Sequence, residues 1–217
     1  MTVPTSPLLP KIECFTLGPF ATNSYLIGMN NVWWIIDPSF EPQPLIDRLA
    51  ALGAAPAAIL LTHAHADHIS GLADVRRAFP DVPVYLHDAE AEWLEDPELN
   101  LSALYGMPMS FAAAEHTLRD NQTLQLGPSE WRVLHVPGHS PGSVAFHHAP
   151  SHTLISGDAL FAGSIGRTDF PGSDFDTLAS SIRRRLYTLP DQTTLYPGHG
   201  PPTTIGVEKR TNPYVRA

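Results

Sequence analysis

Apolar and polar positions change places in short runs through the opening of the chain. Lys11 to Leu17, Asn23 to Gly28 and Val32 to Asp37 are rich in β-branched, aromatic and aliphatic residues. Gly18-Pro19 and Met29-Asn30-Asn31 interrupt them, which predicts three strands joined by turns. The period then lengthens. Leu45, Leu49 and Leu52 recur at helical spacing within Pro44 to Leu52, predicting a first helix, and Gly53 and Pro56 lead from it into Ala57 to Thr62, a continuous apolar run of strand length. From Ser70-Gly71-Leu72 the helical period returns. Ile69, Leu72, Val75, Arg76 and Phe79 belong to one helix that stops before Pro80, and Pro83 to His87 reads as another strand. Strand and helix in alternation predict a sheet covered by helices.

Asp88 to Thr117 holds no sustained period beyond a short helix around Ala89 to Leu94. Met107, Met109 and Phe111 in that stretch are expected to fill core, the alternative being an adaptable wall over a pocket. Strands return at Thr123 to Leu126, Trp131 to Val136, Ser143 to His147 and His152 to Ser156. Ser173 to Tyr187 then places Phe175, Leu178, Ile182 and Leu186 on one helical face, with Ser173-x-x-Asp176 as its capping signal and Arg183-Arg184-Arg185 as a solvated face. Thr194-Leu195-Tyr196 forms a last strand. A second strand-rich half suggests two sheets packed together rather than one long one.

Composition narrows the class. The chain has 217 residues, 43% of them hydrophobic, enough for the core of one large domain. A formal net charge of −9 argues against a nucleic-acid backbone as partner. Cys14 is the only cysteine, so neither a disulfide framework nor a cysteine zinc site is available; a free thiol fits a reducing cytoplasm, and Cys14 is expected to be a buried strand residue. Met1 to Pro7 lacks a basic region followed by an apolar one, and no apolar run reaches membrane-spanning length, so a soluble, cytoplasmic protein with no membrane partner is expected.

Chemistry concentrates where apolar runs break. Leu60-Leu61-Thr62-His63-Ala64-His65-Ala66-Asp67-His68 puts three histidines and one aspartate within six positions. Residues two apart in an extended segment point to the same side, so His63 and His65 can share one metal. Asp67 and His68 fall where the chain turns into a helix and diverge toward a second point. The pattern suits a pair of metals, or one metal beside a vacant site; the plainer alternative makes Asp67 a helix cap and the histidines turn residues. Three further breaks present His139 in Val136-Pro137-Gly138-His139-Ser140-Pro141-Gly142, Asp158 after Leu154-Ile155-Ser156-Gly157, and His199 in Tyr196-Pro197-Gly198-His199-Gly200. Asp37 is either a plain turn residue or a group that holds the metal loop by hydrogen bonds. The other histidines, 87, 116, 135, 147, 148 and 152, lie within or beside strands and read as structural or surface residues.

His63-x-His65-x-Asp67-His68, followed in order by His139, Asp158 and His199, resembles the metal signature of the metallo-β-lactamase superfamily over nearly the whole chain. The resemblance implies the fold class α/β (α+β), a four-layer αββα sandwich of two mixed β-sheets flanked by helices, spanning 1–217 as a single domain. It also implies the ligand sets: His63, His65 and His139 for one metal, Asp67, His68 and His199 for a second, and Asp158 between them. The cations implied are two divalent ions, zinc first, with iron or manganese as alternatives.

Within that superfamily, Ala159 to Phe170 resembles glyoxalase II-type hydrolases, in particular a short bacterial subgroup that also ends like Gly198 to Gly206 with Asn212-Pro213 following. The C-terminal helical glutathione-binding domain of the full-length enzymes is not expected here. The implied activity is hydrolysis of an S-acylglutathione thioester such as S-lactoylglutathione. Paired cations acidify a bridging water and polarise the carbonyl, Asp67 and Asp158 are the catalytic carboxylates, and the partner is a small-molecule thioester. Arg167 either pairs with a substrate carboxylate or forms a surface salt bridge, and Lys209 and Arg210 are weaker candidates for the same anchoring. Gly166-Arg167-Thr168-Asp169-Phe170 equally resembles persulfide dioxygenases, in which one Fe(II) held by His63, His139 and Asp158 would activate oxygen.

Overall fold

The computed structural model describes residues 9–216, so the reading of Met1 to Pro7 lies outside it. Its first sheet contains β1 (Lys11–Leu17), β2 (Thr22–Met29), β3 (Val32–Ile36), β4 (Pro56–Leu60), β5 (Val84–His87) and β6 (His116–Leu118), in that spatial order. β1 to β3 form an antiparallel meander, and β3 to β6 run parallel. Parallel neighbours need crossovers, supplied by α1 (Gln43–Ala51) before β4 and by α2 (Ala66–Ile69) and α3 (Leu72–Ala78) before β5. The second sheet contains β7 (Thr123–Leu126), β8 (Ser129–His135), β9 (Val144–His148) and β10 (Thr153–Gly157) as an antiparallel run. After the small hairpin of β11 (Leu160–Phe161) and β12 (Ser164–Ile165) come α4 (Phe175–Ser181), β13 (Thr194–Pro197), β14 (Thr203–Thr204) and α5 (Ile205–Thr211), with β13 parallel to β10.

Strand alternation decides which side chain goes where. In β3, Trp34 and Ile36 face the second sheet, packing with Trp131, Val133 and Phe146, and the Trp34 and Trp131 rings meet edge-on at 6.2 Å. Trp33 and Ile35 face the other way, onto Leu45 and Leu49 of α1 and Leu72 and Val75 of α3. The second sheet repeats the arrangement. Ala145, Leu154 and Leu195 pack on Leu178, Ile182 and Ile205. Helix, sheet, sheet, helix is the expected αββα sandwich. Among the described residues no helix is long and apolar enough to cross a membrane.

Several local expectations change. The helix drawn through Ile69 and Phe79 is two helices, because Gly71 donates its N–H to the Pro38 carbonyl at 2.8 Å and the chain bends there against the loop after β3. A β-carbon on Gly71 would overlap the Ser39 carbonyl. Asp174, not Ser173, caps α4 by accepting the Thr177 N–H at 2.7 Å, and the helix continues as a π turn over Ile182–Leu186. Cys14 is exposed on the edge strand β1, not buried. Phe111 packs against the core of the first sheet, whereas Met107 is exposed. Unforeseen elements include β6, which extends the first sheet by pairing with β5, the short strands β11, β12 and β14, and α5, capped by Thr204. Of the arginine run, Arg183 and Arg184 are exposed and Arg185 pairs with Asp120. The unframed histidines have packing partners away from the donor cluster: His87 stacks on His135 at 4.2 Å, His116 on Tyr85 and His148 on Trp131.

Candidate metal centre

β4 ends at Leu60, and the chain then runs beneath Asp37. Asp37 sits just past β3 with φ of 50°, a left-handed conformation that turns its carboxylate back under the loop. There it accepts the Thr62 N–H at 2.7 Å, the Thr62 hydroxyl at 2.6 Å and His68 Nδ1 at 2.9 Å. Of its two readings, the structure takes the hydrogen-bonding one. Asp67 is not the helix cap, a position held by His65; it lies in the first turn of α2 and accepts the Thr22 hydroxyl at 2.8 Å.

The donor atoms gather in two groups, His63 with His65 and His139, and Asp67 with His68 and His199, each within 4.8 Å of one another. His139 Nε2 lies 2.9 Å from His65 Nδ1 and 3.2 Å from His63 Nε2. In the second group His199 Nε2 is 3.1 Å and His68 Nε2 3.5 Å from Asp67 Oδ2. Asp158 reaches both groups, 3.7 Å from His139 Nε2, 3.4 Å from His199 Nε2 and 3.3 Å from His68 Nε2. All seven residues singled out in the sequence are therefore brought together. Asp37, His63 and His68 also lie close, but three donors already occupy the Asp37 carboxylate, which makes it a support rather than another site.

Proton bookkeeping tests whether cations fit here. His139 Nδ1 faces the Arg167 carbonyl at 2.8 Å, His199 Nδ1 the Phe20 carbonyl at 3.2 Å and His68 Nδ1 the Asp37 carboxylate, all pure acceptors. Thr62 gives its hydroxyl proton to Asp37 and so accepts from His63 Nδ1. Each of these four Nδ1 atoms must carry a proton, which leaves Nε2 as the atom that faces the centre. The Nε2 atoms of His63 and His139, both bare and 3.2 Å apart, repel unless positive charge lies between them. Burial holds His63 and His65 well below their usual pKa and lowers His139, so the first group resists charging with protons. In the second group burial pulls His68 down, but the carboxylates of Asp67, Asp158 and Asp37 outweigh it and hold this imidazole well above its usual value. His199 is likewise raised to about 9, its burial outweighed by hydrogen bonds to Asp158 and Asp67. Burial pushes both aspartates up, yet His68 and His199 bring Asp67 to about 2 and Asp158 well below the carboxylate range. His68 Nε2 and Asp158 Oδ1 face each other at 3.3 Å, both buried and neither in an aligned hydrogen bond. Such a set of imidazole and carboxylate donors demands positive charge and fits two divalent cations.

Residues with no sequence signal hold these loops. Glu90, fully buried, accepts the Ala64 N–H at 2.6 Å, the Gly142 N–H at 2.7 Å and the Ser140 hydroxyl, tying the His63–His65 loop to the His139 loop. The Asn23 N–H donates to the Gly198 carbonyl at 2.7 Å, its side chain to the Gly200 carbonyl at 2.8 Å, and the Tyr25 hydroxyl to the Pro197 carbonyl at 2.6 Å, which fixes His199. Their signal is absent because each partner is distant in sequence. At Gly198 a β-carbon would overlap Asp158 Oδ1, so only glycine fits.

A cleft of about 230 Å³ opens over the donors. Phe20, Leu101, Tyr105, Phe161, Ile165 and Phe170 supply its apolar wall, a role the methionines do not take. Arg167 lies at its rim with its guanidinium on Asp169 at 2.9 and 2.8 Å and over the Phe170 ring at 4.1 Å. Lys209 and Arg210 pair with Asp191 and do not line the cleft. A larger hollow of about 570 Å³, at the outer face of β7 to β9, contains none of the donors.

Fold and donors together define a class, the metal-binding αββα sandwich. The chain belongs to the metallo-β-lactamase superfamily, whose sequence profile matches residues 17–199. It is 42% identical over 200 residues to the probable metallo-hydrolase YqgX of Bacillus subtilis, covering 92% of this chain and 94% of that one. It is 36% identical over 185 residues to the hydroxyacylglutathione hydrolase GloC of Haemophilus influenzae, covering 84% and 87%. Among solved structures, the B3 metallo-β-lactamase BLEG-1 superposes with a TM-score of 0.90 at 43% identity, over 95% of this chain and all (100%) of that one. TTHA1623 in a di-iron-bound form gives 0.83 at 40%, over 94% and 100%. ETHE1 from Myxococcus xanthus gives 0.79 at 28%, over 94% and 84%.

Proposed function

We propose that this metallo-hydrolase is a thioesterase of glyoxalase II type that hydrolyses S-acylglutathione. The observation that carries the reading is the complete second donor group, Asp67, His68 and His199, with Asp158 reaching from it to the first. Two divalent cations bound there would supply Lewis acidity to a water and to the thioester carbonyl. His63, His65 and His139 would hold one, Asp67, His68 and His199 the other, and Asp158 both. The carboxylates of Asp67 and Asp158 border the cleft and are placed to take up the proton side of the attacking water. A thiolate leaves without a strong general acid, so the reading requires none from the cleft lining. Likeness to the Haemophilus hydrolase supports the substrate class.

A second reading has its own support. His63, His139 and Asp158 also converge as two histidines and a carboxylate, the set that one Fe(II) uses to activate oxygen, and Gly166-Arg167-Thr168-Asp169-Phe170 resembles persulfide dioxygenases. Metal analysis of protein purified without chelators, with assays on S-lactoylglutathione, glutathione persulfide and a cephalosporin, separates these readings. Two metals per chain with thioester cleavage is expected; a single iron with oxygen uptake on the persulfide reverses the preference, and cephalosporin cleavage alone replaces both. Asp158→Ala should abolish hydrolysis and leave a cooperative unfolding transition. If Arg167 anchors the carrier by exchanging its partner Asp169, Arg167→Ala raises KM more than it lowers kcat.

A further inference from the structure

The walls of the cleft say what kind of thioester enters it. Apart from Arg167, every wall group beyond the donors is aromatic or aliphatic, and rings stand directly against the candidate ligands. Phe170 meets His65 edge-on at 5.5 Å, Phe161 meets His199 at 5.9 Å, and Phe20, whose carbonyl holds His199, meets Tyr105 at 4.9 Å. These rings are only partly covered by protein: Phe20, Phe161 and Phe170 are half-buried and Tyr105 is 41% exposed. From the 101–107 segment Leu101 and Tyr105 line the cleft, and Tyr105 is one of the large apolar side chains left exposed among the described residues. Apolar surface left uncovered beside a donor cluster is surface available to a ligand.

Charge points the same way. Arg167 is the one cation among the lining residues apart from the histidines, and its guanidinium is engaged by Asp169 and Phe170 at the rim. A peptide-like thiol carrier brings carboxylates and amides, which the apolar chamber cannot satisfy. An alkanoyl or arylalkanoyl end of a thioester brings only carbon beyond its carbonyl.

We infer that the chamber is an acyl pocket, selecting thioesters whose acyl group is apolar, branched or aromatic, with the thiol carrier lying outside at the Arg167 rim. This rests on the thioesterase reading and names its substrate class. The reaction is ordinary hydrolysis: water oxygen bonds the acyl carbon, the C–S bond breaks, and the products are a carboxylate and a thiol, with one net proton released when the acid ionises. Phe161 and Tyr105 act as specificity-determining residues.

The test is a series of S-acylglutathiones, acetyl, lactoyl, butanoyl, hexanoyl and phenylacetyl, given to the metal-loaded enzyme, with selected acyl groups repeated on coenzyme A. The expected result is a rise in kcat/KM of roughly fourfold per added methylene until the pocket is full. Phenylacetyl should exceed acetyl by at least tenfold, and the trend should be the same on either carrier. Tyr105→Ala and Phe161→Ala should flatten the trend, cutting phenylacetyl turnover more than acetyl turnover while the unfolding midpoint of Tyr105→Ala holds. Hydrolysis that ignores acyl size, falls with it, or follows the carrier instead overturns the inference and leaves the thioesterase reading standing. Failure to cleave any thioester overturns both.

Discussion

Glu90 shows how much of a metal centre can depend on a residue that touches no metal. A buried carboxylate without partners is costly, but this one receives backbone donors on different oxygens, Ala64 on Oε2 and Gly142 on Oε1. Glu90→Gln cannot reproduce that, because wherever the amide NH2 is placed it faces an N–H. The substitution should destabilise the fold by about 1–3 kcal/mol. By loosening the loops that carry His63, His65 and His139 it should weaken metal binding about 10- to 100-fold, read by competition with a chromophoric chelator. A pH signature accompanies it. Burial raises the Glu90 carboxyl from 4.5 to about 7 against the hydrogen bonds that favour its anion. Between those values the folded chain binds more protons at this site than the unfolded chain, so its contribution is full below 4.5 and is lost as pH rises toward 7. The unfolding free energy of the metal-free wild type, minus that of Glu90→Gln, should therefore fall across that window. A flat difference would mean that Glu90 is already ionised in the folded protein.

Elements deliver the donors, and they do so mainly by stopping. Leu61 to His65 extend beyond β4, His139 follows β8, Asp158 follows β10 and His199 follows β13, all but one framed by glycine or proline. That framing is why the ligands were legible in the sequence: turn chemistry is local and so are its residues. Strands β1, β7 and β13 were legible for a similar reason, since alternation between fixed turns leaves little choice. What escaped depended on distant partners. Asn23, Tyr25 and Glu90 act on loops far along the chain, and β6 exists because β5 offers an edge. In α5, Ile205-Gly206-Val207-Glu208-Lys209-Arg210-Thr211, no apolar period is visible because Glu208 is buried against polar groups, the Thr203 hydroxyl and the Asn212 amide. The cap of α4 was misassigned by one residue since Ser173 and Asp174 are both good capping types. Only the backbone decides, with Asp174 extended at φ −156° and its carboxylate on Thr177. Asp174→Ala should cost about 1 kcal/mol in chemical denaturation, while Ser173→Ala loses only a hydroxyl bond to the Phe170 carbonyl and should cost less. Equal costs would remove the capping assignment.

At the scale of the whole molecule, each candidate cation would be held by both sheets. His63 and His65 follow β4 of the first sheet and His139 follows β8 of the second; Asp67 and His68 come from the first, His199 and Asp158 from the second. The sheets also share the Trp34–Trp131 core and a hydrogen bond from the Val144 N–H to the Thr62 carbonyl at 2.8 Å. Cations bound at this edge would thus act as cross-links that the unfolded chain cannot form, and would screen the carboxylates of a chain whose formal charge is −9. Ligands that bind only the folded state stabilise it by mass action, about 4 kcal/mol at a thousand times Kd. In a domain of this size that corresponds to a rise in Tm of roughly 8 to 16 °C. Removing metal with a chelator should lower the melting temperature by that order, and restoring it should return the loss. The same treatment of His199→Ala, which keeps the first group intact, should give a smaller but real shift. An equal shift would mean that only the first group binds, and the case for paired cations would give way to the single-metal reading.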